Sequence, residues 1–384
     1  MNIGIICYPT YGGSGVVATE LGKALGQEGH KVHFISYDQP ARLDFFSENV
    51  YYHEVSVSKY PLFRYPPYEI ALASKIVDIV QFANLEMLHV HYAIPHAAAA
   101  LMARQILEQK GIYIPVITTL HGTDITLVGK DPTYEPVVSY SINQSDGVTS
   151  VSESLKQDTY RHFDVVRDIE VIPNFIDFAR FSKKPREHFK KAIAPNDEFI
   201  VVHTSNFRKV KRIEDVIAIF DRIRKQVPAR LLLVGDGPER FNMEKVCREF
   251  ELNDAVTFLG KQDAVEEILS VGDLFLLPSQ TESFGLAALE AMACEVPVIS
   301  SNSGGLPEVN ADGYSGFTSD VGDVESMAEN ALRILGPELE TFKKQALAQA
   351  QKFDIKYILP MYENYYHKVI DGCRVKSSGK NSKG

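Results

Sequence analysis

Short apolar runs alternate with longer amphipathic stretches from one end of the chain to the other. Ile3–Ile6, Val32–Ser36, Leu88–His91, Val116–Leu120, Val148–Val151 and Glu170–Ile172 predict strands. Between them, Val16–Gln27 and Ile70–Ala83 place apolar residues three and four apart, which is the spacing of one helix face. A second series runs through Phe199–His203, Leu231–Val234, Val256–Leu259, Leu274–Leu277 and Val298–Ser300, with helices predicted at Glu214–Gln226 and Met243–Phe250. Continuous apolar strands separated by helices point to parallel sheets covered on both faces. The pattern breaks around Pro173 to Asn196, where Lys183-Lys184-Pro185-Arg186 is polar and expected to be exposed. Ile355–Val369 is helical in pattern and rich in tyrosine. From Arg374 the chain carries Ser, Gly and Lys without periodicity, the pattern of a disordered tail.

Length and charge narrow the class. A chain of 384 residues is too long for one comfortable core, so two α/β domains are expected. A net charge of −10 argues against a nucleic-acid binder, although a local basic cleft can still hold an anion. The start lacks a basic leader, its apolar run is interrupted at Gly12–Gly15, and no stretch has the length of a membrane span. Cys7, Cys247, Cys294 and Cys373 lie far apart and form no CxxC pair, so neither a zinc site nor a disulfide framework is expected. Reduced, buried thiols in a cytoplasmic protein are expected instead.

Three segments carry the candidate chemistry. The first strand runs into Tyr8-Pro9-Thr10-Tyr11-Gly12-Gly13-Ser14-Gly15 and then a helix. Glycines let the backbone approach a ligand, and the helix N-terminus offers free N–H groups to an anion. Gly13-x-Gly15-x-x-Ala18 also matches a dinucleotide fingerprint, with Asp38 after the next strand as a ribose ligand, so an NAD-dependent oxidoreductase is an alternative. Against it, the loop from Cys7 is longer and more polar than a tight dinucleotide turn.

The second segment is Asn206-Phe207-Arg208-Lys209-Val210-Lys211-Arg212, a cationic run after a strand, which suits a diphosphate. Gly235 in Val234-Gly235-Asp236-Gly237-Pro238 closes the next strand with a turn able to meet a base or ribose. The third segment is Thr281 to Ala293, in which Glu282 and Glu290 flank small and apolar residues. A helix starting near Ser283 would carry the two glutamates about 12 Å apart. That matches the two sugars of a nucleotide sugar, with the amides of Phe284, Gly285 and Leu286 facing the phosphates between them. Ser303-Gly304-Gly305-Leu306-Pro307 reads as a supporting turn.

Glu282-Ser283-Phe284-Gly285-Leu286, Gly235-Asp236-Gly237-Pro238, Ser303-Gly304-Gly305-Leu306-Pro307 and the first glycine loop together resemble glycosyltransferase family 4, in the same order along the whole chain. The segments around Tyr8–Gly15, Leu88–Ala97, Thr118–Thr126 and Asn206–Arg212 are most similar to a branch of that family acting in bacillithiol biosynthesis. The resemblance implies two Rossmann-like domains facing across a cleft, the GT-B arrangement. An acceptor domain would take residues 1–175 and a returning helix at 355–373, a nucleotide-sugar domain residues 176–354, and a tail residues 374–384. It implies retaining transfer of GlcNAc from UDP-GlcNAc to the hydroxyl of L-malate, with no metal or other cofactor, no nucleic acid and no membrane. It is also compatible with a homo-oligomer.

By the same resemblance Lys211 neutralises the diphosphate, and Arg208 stands in for an arginine that the family places where Asn206 lies. Glu282 and Glu290 match a glutamate pair, and His121 matches a catalytic histidine near the donor sugar. Gly13, Gly15, Asn206, Gly235, Phe284, Gly285, Leu286 and Glu290 fall on donor positions; Ser14, Tyr92 and Thr119 fall on acceptor positions. Tyr92 and His91 could equally close a strand as core residues. Asp124 is expected to orient His121 or nearby backbone. No Asp-x-Asp pair, the usual metal–diphosphate device, occurs in the chain. Alternatives left open are a family member with a lipid or glycan acceptor, the oxidoreductase, and a non-catalytic nucleotide-sugar binder.

Overall fold

Apolar runs such as Ile3-Gly4-Ile5-Ile6 and Leu274-Phe275-Leu276-Leu277 have no polar face, so both sides of their sheet must be covered. The computed structural model shows that outcome. It describes every residue except 11, 44–46, 58–62, 128–130 and 382–384, and the backbone alone at 127 and 376–381. The chain divides into two compact units, Met1–Pro173 with Ile358–Gly384, and Asn174–Tyr357.

The first unit holds β1 (Asn2–Ile6), β2 (Lys31–Ser36), β3 (Val50–Glu54), β4 (Met87–His91), β5 (Val116–Leu120), β6 (Gly147–Ser150) and β7 (Glu170–Val171). They form one parallel sheet in the order β3-β2-β1-β4-β5-β6-β7. The second unit holds β8 (Phe199–Thr204), β9 (Ala229–Val234), β10 (Val256–Gly260), β11 (Leu274–Leu277), β12 (Val298–Ser301) and β13 (Gly316–Ser319). Their order is β10-β9-β8-β11-β12-β13, again parallel. Both are doubly wound α/β sheets. Each reverses its strand order once, between β1 and β4 and between β8 and β11, and open sheets bind ligands at the carboxyl ends of strands beside that switch.

Two strands carry no clear apolar run and were not predicted from sequence, β3 and β13. Both are edge strands. An edge strand is covered less, so Val50-Tyr51-Tyr52-His53-Glu54 mixes half-buried and exposed positions rather than presenting a continuous apolar run.

The helix starting at Ile355 runs to Asn381, into the stretch from Arg374 expected to be disordered. Extending an existing helix adds one hydrogen bond per residue fixed, so a polar end can continue a well-anchored helix. Its anchor is firm. The Tyr365 hydroxyl donates to the Val148 carbonyl (3.0 Å) and accepts from the Val148 N–H (2.8 Å), and His30 meets Glu363 at 2.9 Å. Tyr362 and Tyr366 are fully buried. In the second unit, Ile176 bridges Asp354, so the two points where the chain leaves that unit lie side by side. All four cysteines are free and buried.

Candidate active site

The second unit gathers its candidate groups at the β8/β11 switch. After β8 the chain turns through Ser205–Arg208 into a 3₁₀ turn, Lys209–Lys211. Arg208 precedes the turn in extended conformation, and its carbonyl accepts the Lys211 N–H (2.8 Å). After β11 the chain runs to Ser279 and Glu282. Lys211 Nζ and Glu282 Oε1 form an ion pair, and the Ser279 hydroxyl donates to the same Oε1 (3.2 Å). The Gln280 N–H donates to the Val210 carbonyl (2.8 Å), tying the two loops together by backbone as well.

A buried histidine sets the first of these loops. His203 Nδ1–H donates to the Leu276 carbonyl (2.8 Å), which leaves Nε2 to accept from the Ser205 hydroxyl (2.8 Å). Ser205 Oγ in turn accepts from the Phe207 N–H (3.3 Å). Burial holds the His203 pKa down at about 4, so this chain stays neutral and fixed. Arg212 turns away to Asp215 (2.6 Å). Arg208 and Lys209 are exposed, and their side chains make no hydrogen bond or ion pair among the described residues, while the Lys209 carbonyl accepts from the Arg212 N–H (3.0 Å).

Two glycines permit the close approach of neighbouring loops. Gly235 has φ +117°, and a Cβ there would stand 1.8 Å from the Ser205 carbonyl oxygen. Gly304 has φ +60°, and a Cβ would stand 1.9 Å from the Glu282 carbonyl oxygen. That carbonyl accepts the Gly305 N–H (2.9 Å), so the glycine pair braces the Glu282 loop. Gly235 thus serves the Asn206 loop by packing, and the exposed Asn206 lies between Ser205 and Phe207 in that braced segment.

The helix bearing Glu290 begins later than expected. It spans Leu286–Ala293 with Gly285 as its N-cap, so Glu282 lies outside it and the 12 Å helical-rise argument does not apply to the glutamate pair. Gly285, with φ +100°, starts the helix where Ser283 was expected to. Neither a side-chain cap nor an acidic residue occupies its first turn; the Ala288 N–H donates to the Gly285 carbonyl (3.0 Å), which leaves the earlier amides open to an anion. Phe284 is buried against Phe353, so it offers the site backbone rather than its ring. Glu290 is half-buried in mid-helix and helps raise the buried Cys294 thiol, after desolvation, to about 12.

In the first unit the helix Gly13–Gln27 starts directly after the β1 loop, with Gly12 as N-cap and neither a side-chain cap nor an acid in the first turn. Gly13 is exposed and Gly15 buried in that turn; Tyr11 lies outside the described residues. The Ser14 and Tyr92 hydroxyls share a hydrogen bond of 2.6 Å, which brings two of the three acceptor candidates together at the β1/β4 switch. Tyr92 holds φ +83°, uncommon for a residue with a Cβ, and its N–H donates to the Thr119 carbonyl (2.9 Å). Backbone in such regions clusters where surrounding structure and function over-determine it.

Thr119, the third candidate, sits differently. Its hydroxyl is fully enclosed and already engaged by His89 Nε2 (2.7 Å) and the Thr149 hydroxyl (2.6 Å). That hydroxyl is thus held inside the core network behind the Ser14–Tyr92 pair. His89 Nδ1 meets the Tyr366 hydroxyl at 2.7 Å, so the network reaches the C-terminal helix.

His121 pairs through Nε2 with His91 Nδ1 (2.7 Å), and the rings stack with centroids 5.0 Å apart. Asp124 does not touch the His121 ring. Its carboxylate accepts from the N–H groups of Ala93 (3.0 Å), Gly122 (3.0 Å) and His121 (3.4 Å), fixing the loop backbone. Burial outweighs those three donors and lifts its pKa to about 6. Burial likewise depresses His121 and His89 to about 3 and His96 to about 4. The partners His89, His96, His203 and Tyr366 were not singled out from sequence. The alternation Leu88-His89-Val90-His91 inside a buried strand was the available signal, because enclosed imidazoles need partners.

Among the described residues no group of three or more His, Cys, Asp or Glu is gathered as a metal site requires. Nor is any described helix long and apolar enough to cross a membrane.

Comparison with known proteins agrees with this arrangement. Residues 11–180 match the family model for Glycosyltransferase Family 4, and residues 184–366 match that for glycosyl transferases group 1. The chain is 45% identical over 374 residues to N-acetyl-alpha-D-glucosaminyl L-malate synthase of Bacillus anthracis, covering 96% of this chain and 97% of that one. An uncharacterized glycosyltransferase of Methanocaldococcus jannaschii is 27% identical over 84% of this chain and 85% of its own. Among solved structures, sucrose-phosphate synthase from Thermosynechococcus elongatus superposes with a TM-score of 0.79 at 23% identity, covering 97% of this chain and 100% of that one. Anabaena HepE in complex with UDP and glucose gives 0.80 at 19% identity, covering 96% and 99%. These likenesses extend over both sheets and show the GT-B fold, and the oxidoreductase drawn from Gly13, Gly15 and Asp38 gives way to them. With a relative at 45% identity along nearly its whole length, this chain belongs to glycosyltransferase family 4.

Proposed function

We propose that this protein transfers GlcNAc from UDP-GlcNAc to the hydroxyl of L-malate with retention at the anomeric carbon, giving N-acetyl-α-D-glucosaminyl L-malate, the first step of bacillithiol biosynthesis. The near full-length similarity to the Bacillus anthracis synthase supports this choice of product. The observation that carries the chemistry is the Lys211–Glu282 pair at the β8/β11 switch, beside the open amides of Phe284 to Leu286.

The second unit is the donor domain in this reading. Lys211 and Arg208 take up charge on the diphosphate, with Asn206 and Gly235 shaping the loop. Glu282 accepts from hydroxyls of the transferred sugar and Glu290 from those of the nucleotide ribose. Malate, a small dianion, is met in the first unit by the Ser14 and Tyr92 hydroxyls, with Thr119 behind them. As the bond from the anomeric carbon to the phosphate oxygen breaks, the malate oxygen adds to the same face. The departing phosphate oxygen takes the malate proton. This route needs positioning and fixed electrostatics rather than a protein nucleophile. The buried free thiols suit a reducing compartment, and we assign the protein to the cytoplasm.

The test is incubation with UDP-GlcNAc and a panel of hydroxy acids, glycans and lipids, with UDP release and the conjugate mass as readouts. A conjugate with malate is expected. UDP release only with glycans or lipids would replace the acceptor, and no release with any of them would leave a binding protein.

A further inference from the structure

His91 closes β4 at the switch point and is completely enclosed. Its backbone is held from outside, because His96 Nδ1–H donates to the His91 carbonyl (2.6 Å). Its Nδ1 faces His121 Nε2 at 2.7 Å, and its own Nε2 is buried with no hydrogen-bond partner. Both rings are neutral, so one proton lies between them and two arrangements compete.

In the first, His91 donates Nδ1–H to His121 Nε2. His91 Nε2 is then a bare acceptor, and His121 carries its proton on Nδ1. In the second, His121 donates from Nε2, and His91 must carry its proton on the enclosed Nε2, with nothing to receive it. A buried donor without a partner costs about 1–3 kcal/mol. Orphaned N–H groups are also rarer than under-satisfied acceptors. The first arrangement wins.

We propose that His91 is a positioning residue: its Nδ1–H fixes His121 as the Nδ1–H tautomer, so that the half-buried His121 ring offers a hydrogen-bond donor to an oxygen of the sugar being transferred. The inference rests on the reading that His121 lies beside the donor sugar. Every other ring contact agrees with a fixed orientation. Tyr92 packs against His121 with centroids 5.3 Å apart, His89 against His91 at 4.4 Å, and the Asp124 carboxylate pins the His121 and Gly122 amides. Asp124 is thereby occupied with backbone, and the ring's tautomer is left to His91.

Two measurements test this and fail separately. Long-range proton–nitrogen correlation on protein labelled with ¹⁵N-histidine reports the tautomer without any turnover, with the His121→Asn spectrum giving the assignment. A protonated Nδ1 and bare Nε2 at His121 are expected; the opposite tautomer overturns the proposal. Kinetics then test its use. His91→Leu removes the donor, and kcat is expected to fall about 10- to 100-fold, the range seen when the group orienting a metal-bound histidine is lost, with KM for malate unchanged. His91→Asn can place an amide N–H near the lost Nδ1–H and is expected to restore most of kcat. Equal losses in both variants, or no loss in His91→Leu, would overturn the positioning role. Full activity in His121→Asn would instead remove the reading of His121 itself, whatever the spectrum shows.

Discussion

Lys211 and Glu282 hold each other with side chains only 20% and 15% exposed, so the cost of taking both charges out of water offsets most of their attraction. A pair of that strength does little for the fold, yet it presets a cation beside open helix amides. Lys211→Ala should therefore separate function from stability. The expected fall in kcat is about 10²- to 10³-fold, as for loss of one preorganised group at a developing anion. The melting temperature should move by no more than about 4 °C. Steady-state kinetics and thermal melts check both, and wild-type turnover would remove Lys211 from the proposed chemistry. These two residues were legible because charge at a strand end or in an apolar stretch is conspicuous. Their contact was not, since it joins loops 71 residues apart and depends on which strands adjoin. The same holds for His89 and Tyr366, which meet across 277 residues.

Loops after β8 and β9 touch backbone to backbone, and Gly235 is the point of contact. Gly235→Ala adds a Cβ 1.8 Å from the Ser205 carbonyl oxygen on a backbone at φ +117°. Gly313 supplies the comparison, with φ +69° and nothing within 4 Å of an added Cβ. Gly313→Ala should cost only the left-handed strain, about 1–2 kcal/mol. Gly235→Ala should lose more stability and also raise KM for the nucleotide sugar at least tenfold, because the Ser205–Lys211 segment must shift. Equal donor KM in both variants would show that the approach at Gly235 does not shape the donor loop. Glycine turns and central strands are legible at this level because hydrophobic period and chain-breaking residues are local signals. The start of the helix at Leu286 rather than Ser283 was not, because it follows from Gly285 adopting φ +100° beneath Leu306, a tertiary contact. The weak edge strands β3 and β13 escaped for the same reason, since a neighbour on one side only makes them strands.

Two parallel sheets with separate cores divide the titrating groups unequally. The first unit encloses His89, His91 and His96, with His121 beside them, whereas the second encloses His203. Burial depresses all of them, to about 3 for His89 and His121 and about 4 for His96 and His203, with His91 also well below 6.5. An unfolded histidine titrates near 6.5, so below that pH the unfolded chain binds more protons and stability decreases as pH decreases. The contribution is present above about 6.5 and is lost as pH drops toward the folded values. For the fully enclosed His89 and His96 it is on the order of 5 and 3 kcal/mol respectively at 1.36 kcal/mol per unit. Asp124 acts the other way, since its carboxyl is raised to about 6 and gives stability that fades as pH rises from about 4 to about 6. One carboxyl does not offset a cluster of imidazoles. Domain stabilities are about 5–15 kcal/mol, so the first unit should open before its histidines are fully charged. Hydrogen exchange at pH 7.5 and 4.5 should show β4 and β5 losing protection while β8 and β9 retain it. Loss in the second sheet first, or equal protection at both pH values, would mean that the enclosed imidazoles find a proton-accepting partner on charging. The buried, unpartnered nitrogens of His91 and His96 argue against one within the first unit.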